Sequence, residues 1–152
     1  DRFAMRLTLG YVDPATEVGI LDGFHRHRAD DDIAPVPDPD ALDRAIGEID
    51  TVTVVRSVSD YIVQIANATR AHPDLRLGVS TRGTLTMLRV ARAYAATDER
   101  DYVTPDDVKA VAAAVFTHRM ALTPEAELRG VRIDTVLADV IDEIPVPRPR
   151  DT

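Results

Sequence analysis

Gly78-Val79-Ser80-Thr81-Arg82-Gly83-Thr84 is the stretch of this sequence best furnished for chemistry. Ser80 is of the residue type that caps a helix, and it would place Arg82 in that helix's first turn. The backbone dipole already presents partial positive charge there, so a guanidinium is locally unfavourable and invites a reason. Free backbone N–H groups, the small hydroxyls of Ser80 and Thr81, and the Arg82 guanidinium converging on one helix start make an anion site. A nucleotide phosphate is the natural candidate. The same spacing allows a plainer reading, in which Ser80 only caps and Arg82 lies in solvent.

Other residues with chemical potential are less promising. Arg2, judged by physics alone, is an ordinary exposed charge. His25 and His27 are two apart, which on a helix points the imidazoles away from each other, so a solvated surface is expected rather than a metal site. His118-Arg119 closes a helix, where cations suit the dipole. Asp30 to Asp32 fall in a loop and Asp106-Asp107 in a helix cap, and neither set needs an acid–base role. There is no nucleophile elbow, HExxH or glycine-rich dinucleotide fingerprint. Lys109 is the only lysine and follows Val108 rather than glycine, so the chain has no Walker A loop. Nothing in these motifs supports catalysis by this chain alone.

Composition narrows the partners. A net charge of -8 argues against generic binding to nucleic acid or to an anionic membrane surface, both of which want a basic face. The 152 residues predict one domain, and the 45% hydrophobic and 29% charged fractions are ordinary for a globular protein. The lack of cysteine excludes disulfides and thiolate chemistry and fits a cytoplasmic location. No apolar run approaches the roughly 18 residues that would span a bilayer. The N-terminus has neither an initiator methionine nor a signal-peptide layout, as expected of a segment excised from a longer chain.

The elements that must position Arg82 are mostly helices. Phe3 to Val12 reads as a short strand. Asp13-Pro14 starts a helix running to about Arg28, with Ile20, Leu21 and Phe24 as its apolar stripe. Ala29 to Pro37 is an acidic, proline-bearing connector, and Asp38-Pro39 opens a second helix. Thr51 to Val55 suits a brief extended segment. Ser57 and Asp60 suggest a capping box for a helix with Val58, Tyr61, Ile62, Ile65 and Thr69 on one face. The Ser80 helix has apolar residues around most of its girth, which predicts a central position. Thr104-Pro105 begins the next helix, Thr123-Pro124 a further turn, and Val136 to Ile141 a last short helix. Three prolines, Pro145, Pro147 and Pro149, then end regular structure. The fold class is an all-α bundle of five to six helices with a leftover N-terminal strand.

In order and at plausible intervals, these segments resemble the MoxR family of AAA+ ATPases over essentially the whole chain. Asp1-Arg2-Phe3, Met5-Arg6-Leu7 and Gly10-Tyr11 look like the end of the AAA+ core, and Asp13-Pro14 to Leu21 like the helix that follows it. Tyr61-Ile62 with Ala68-Thr69-Arg70 is similar to the family's Tyr-Ile…Ala-Thr-Arg helix. Gly78-Val79-Ser80-Thr81-Arg82 resembles its Gly-Ala-Ser-Pro-Arg sensor 2 motif. Tyr102 to Val108 and His118-Arg119-Met120 match the segments after it.

The resemblance implies a helical lid, residues 13–144, after a core remnant at 1–12 and before a proline-rich tail at 145–152. It implies that Arg82, with Ser80 and Thr81, meets the γ-phosphate of ATP bound in the same subunit's core. Arg2 would take the arginine-finger position and act in trans on a neighbour. ATP and Mg would serve the intact protein, with neither stably bound to this segment alone. Its partners would be its own AAA+ core, further copies in a ring expected to be a hexamer, and a von Willebrand factor A domain protein. Its task would be chaperone-like remodelling. Thr81 stands where the family usually has proline and Gly83 where it has alanine; the glycine is expected to loosen the helix start by up to ~1 kcal/mol. A stand-alone helical adaptor is the main alternative, predicting an exposed apolar groove and no anion at Ser80. A helix-turn-helix regulator is the other, and its best recognition helix, Thr84 to Ala95, is too apolar to lie in a DNA groove despite Arg89 and Arg92.

Overall fold

The computed structural model describes residues 3–23, 38 and 40–147. Among them the chain is mostly helical: α1 (Pro14–Gly23), α2 (Ala41–Thr51), α3 (Arg56–Ala71), α4 (Thr81–Thr97), α5 (Pro105–Phe116), α6 (Pro124–Leu128) and α7 (Ile133–Glu143). A 3-10 turn, Thr117–Arg119, extends α5. Two short strands, β1 (Leu75–Leu77) and β2 (Ala121–Leu122), pair antiparallel with Leu75 opposite Leu122 and Leu77 opposite Ala121. None of the described helices is long and apolar enough to cross a membrane.

Capping chemistry explains most of the helix starts. Asp13 Oδ1 accepts from the amides of Ala15 and Thr16 at 3.0 and 3.1 Å, so α1 begins where the Asp-Pro pair predicts. Thr104 and Asp107 form a reciprocal capping box on α5, and the Thr123 hydroxyl caps α6 from Ala126 at 3.2 Å. The expected box at Ser57 is absent. The helix starts two residues early, at Arg56 with Val55 as its N-cap, which puts Ser57 inside the first turn, and Asp60 takes the Arg56 Nε at 2.9 Å instead. The N-terminal strand is also not formed. Residues 3–12 carry no regular structure, because no strand lies alongside them among the described residues to complete a ladder. The extended stretch near Thr51 to Val55 survives as one parallel bridge, Thr53 to Tyr102.

The core sits between α3, α4, α5 and α7. Tyr61, Ile62, Ile65 and Ala66 on α3 and Val108, Ala112, Val115 and Phe116 on α5 are all at most 2% exposed. Complete burial of a side chain such as Phe116 contributes roughly 1.5–3 kcal/mol. The apolar girth of α4 overstates its burial, although the helix does pack against α2, α3 and α5. Its buried residues are only Gly83, Met87, Ala91 and Ala95, one stripe at i, i+4 spacing, while Leu85 is 57% exposed. Three of those four residues are small, which lets the α5 backbone come close, and α4 with α5 is the most extensive packing in the bundle.

Candidate functional site

The start of α4 is held by the end of α3. Gly78 runs so close to that helix that a Cβ there would stand 2.6 Å from Arg70 Cα and N. The Thr69 hydroxyl accepts from the Val79 amide at 3.0 Å, and Arg70 Nε donates to the Val79 carbonyl at 2.6 Å. Both polar groups of Val79 are thus tied to adjacent residues of α3, and the Val79 side chain is fully buried. Pairing of β1 with β2, extended by Thr123 N to Asp74 O at 2.8 Å, brings the same loop beside the 3-10 turn.

On this base stands the sequence-predicted trio. Ser80 is the N-cap of α4, its Oγ accepting from the Gly83 amide at 3.3 Å. Thr81 opens the helix, and its carbonyl accepts from the Thr84 hydroxyl at 2.8 Å. Arg82 follows in the first turn, exposed, and its side chain has no hydrogen-bond or ion-pair partner among the described residues. No acidic residue lies in that turn. A guanidinium with five donors beside helix-start amides can hold the oxygens of a phosphate. It offers no base, nucleophile or enclosing cavity. A cleft of about 560 Å³ lies elsewhere, lined by residues such as Arg6, Thr8, Thr117 and Ile133. Among the described residues no cluster of His, Asp or Glu could hold a metal ion. Arg2 lies outside the described residues, as do His25, His27 and Asp30 to Asp32.

Two features were not legible in advance. Gly83 is not merely a weak helix former, since a Cβ there would stand 2.6 Å from Val79 Cγ1 and 3.2 Å from Arg119 Cδ. Arg119 does meet the end of α5, through the Val115 carbonyl, but it is buried rather than on the surface. It is 8% exposed, and its guanidinium donates to the carbonyls of Ala4 (3.1 Å), Phe3 and Val115. Burial pulls its pKa below the ordinary arginine value. The only sequence signal was its place in His118-Arg119-Met120, which says nothing about burial.

At the far end of α4, Arg100 reaches Asp107 with both terminal nitrogens, at 2.8 and 2.6 Å. Asp107 also accepts from the Thr104 amide and hydroxyl at 2.7 and 2.9 Å. Burial alone would raise the Asp107 pKa, but the hydrogen bonds from Arg100 and Thr104, with the arginine's charge, outweigh it and hold the carboxyl below its usual range.

Comparison with known proteins gives this arrangement a family. Residues 67–140, from the end of α3 through most of α7, match the family model of the AAA lid domain. The chain is 28% identical to a Cytophaga hutchinsonii protein whose crystal structure is described as that of a candidate ATPase, with a TM-score of 0.84 over 97% of this chain and 47% of that one. The Bacillus subtilis protein YeaC is 33% identical over 97% of this chain and 46% of its own length. The Mycobacterium tuberculosis chaperone MoxR1 is 27% identical over 97% of this chain and 41% of its own, and the Paracoccus denitrificans protein MoxR is 43% identical over 74 residues. The helical bundle is an AAA lid domain. It belongs with the lids of the MoxR-type AAA+ ATPases. The chain spans somewhat under half the length of the relatives that it matches from end to end.

Proposed function

We propose that this lid senses bound nucleotide through Arg82 and passes the state of that nucleotide to the rest of a ring-forming ATPase. The observation that carries the reading is the unpartnered, exposed guanidinium of Arg82 on a helix start clamped by Thr69, Arg70 and Gly78. An arginine kept for a structural ion pair would be paired. This one stands on a clamped helix start with its guanidinium left open, as suits a group whose ligand is delivered from outside.

In this account a nucleotide-binding core supplies ATP and Mg, and Arg82, with Ser80 and Thr81 shaping the helix start, meets the γ-phosphate. Residues 1–12 belong to that core, 13–144 to the lid and 145–152 to a tail. Phe3, Leu7, Leu9, Tyr11, Val18 and Leu21, each more than half exposed, support this division, for they are apolar surface that a docked core would cover. Arg2 acts as an arginine finger on the neighbouring subunit of a hexamer. ATP draws the lid inward, hydrolysis releases it, and the movement remodels a client in the cytoplasm, with a von Willebrand factor A domain protein as co-worker. The chaperone name of one relative supports the last step.

The test joins this chain to a nucleotide-binding core and measures ATP turnover. Arg82→Ala should lower it at least about tenfold, the effect of removing one charged hydrogen-bond donor from a phosphate. Turnover equal to that of the parent would leave the bundle a helical adaptor.

A further inference from the structure

Arg119 touches both the N-terminal segment and the first turn of α4. Its guanidinium holds the carbonyls of Phe3 and Ala4, on the segment that enters the bundle from the N-terminal side. Its aliphatic stem lies over Gly83, in the same helical turn as Arg82, where a methyl group would stand 3.2 Å from Arg119 Cδ and displace the stem by a few tenths of an ångström. His118 Nε2 lies 3.3 Å from the Phe3 carbonyl, and the Arg6 amide donates to the Ala114 carbonyl on α5 at 2.8 Å. We propose that Arg119 is a positioning residue that couples residues 3–6 to the first turn of α4, so that displacing the segment shifts Arg82. Its meaning for nucleotide sensing rests on the reading of Arg82 given above; the mechanical link does not.

The physical argument has two parts. A buried cation that loses two of its carbonyl acceptors is less well compensated, a costly state, so the guanidinium is drawn after the Phe3 and Ala4 carbonyls. The stem cannot absorb that movement freely, because it lies against Gly83, which packs on fully buried Val79. Val79 is fixed at its main chain by Thr69 and Arg70. Held at that point, the first turn of α4 can still tilt about it, and Gly83 is where Arg119 bears. Glycine at this position thus does more than fill a cap: it seats the strut.

Amide hydrogen exchange on the full 152-residue chain, without nucleotide, tests the link from both ends. Gly83→Ala crowds Val79 and also pushes on the Arg119 stem, and the Arg6 amide should then exchange about tenfold faster. Deleting residues 1–5 removes the Phe3 and Ala4 acceptors, and the Gly83 and Thr84 amides should exchange faster by about the same factor. Val140→Ala, a buried change in α7, serves as comparator for general loss of stability and should raise these amides only in step with the rest of the bundle. The link is refuted if Arg6 in Gly83→Ala, or Gly83 and Thr84 in the deletion, change no more than they do in Val140→Ala. Arg119→Met should reproduce both effects, and if it does not fold the other two variants still decide. Unaltered ATP turnover in Arg82→Ala would refute the sensor reading and leave these exchange results standing.

Discussion

The Thr69 hydroxyl donates to the Ala66 carbonyl of its own helix at 2.7 Å and accepts the Val79 amide at 3.0 Å, so one buried oxygen joins the end of α3 to the approach to α4. Thr69 is fully buried, and Val79 is the second residue before the helix that carries Arg82. Two motifs that are ten residues apart in the chain are therefore one structural unit.

Thr69→Val keeps the shape of the side chain and removes the acceptor. The Val79 amide would be left buried without a partner, which should cost about 1–3 kcal/mol in chemical denaturation. Exchange of that amide should rise by more than the global change. A variant as stable as the parent would show that water replaces the hydroxyl.

Gly78→Ala and Gly47→Ala should move stability in opposite directions. A methyl at Gly78 meets the Arg70 backbone at 2.6 Å, and backbone cannot turn aside, so a loss of about 2–4 kcal/mol is expected. Gly47 lies within α2 with nothing within 4 Å of its would-be Cβ, and alanine there should add about 0.5–1 kcal/mol. Thermal denaturation of the two variants checks both signs.

Asp107 gives the fold an acid-sensitive element. Its folded pKa is depressed, so the stability it contributes is complete above the unfolded value, about 3.9 for an aspartate, and is lost as pH falls through the lower folded value. Asp107→Asn should be less stable than the parent near neutral pH by about 2–3 kcal/mol, the loss of a charged partner to Arg100 and of part of the α5 cap. The gap should narrow below about pH 4, where the unfolded chain's carboxyl takes up a proton while the folded one stays ionised. A gap that stays constant down to pH 2 would contradict the assignment.

Much of this was legible in the residues. Asp13-Pro14, Ser80, Thr104-Pro105 and Thr123-Pro124 mark helix starts because capping is local chemistry, settled within four residues. Ser57 misled because the helix could begin at Arg56, and a capping box works only when its serine stands outside the first turn. Phe3 to Val12 misled because a strand is defined by its neighbour, which the sequence of the strand does not contain. The place of Arg82 in the first turn of α4 was legible from its spacing after Ser80. Arg119 and Gly83 were not, since their contact joins residues 36 apart through packing that only the assembled bundle brings about.

The reading of Arg82 as a γ-phosphate sensor makes its sharpest claim about the difference between two nucleotides. In the chain joined to its nucleotide-binding core, equilibrium binding of MgATP and MgADP should be measured for the parent and for Arg82→Ala. Loss of one charge-assisted contact to the terminal phosphate should weaken MgATP about ten- to a hundredfold and leave MgADP nearly unchanged. Equal effects on both nucleotides, or no effect on either, would contradict it.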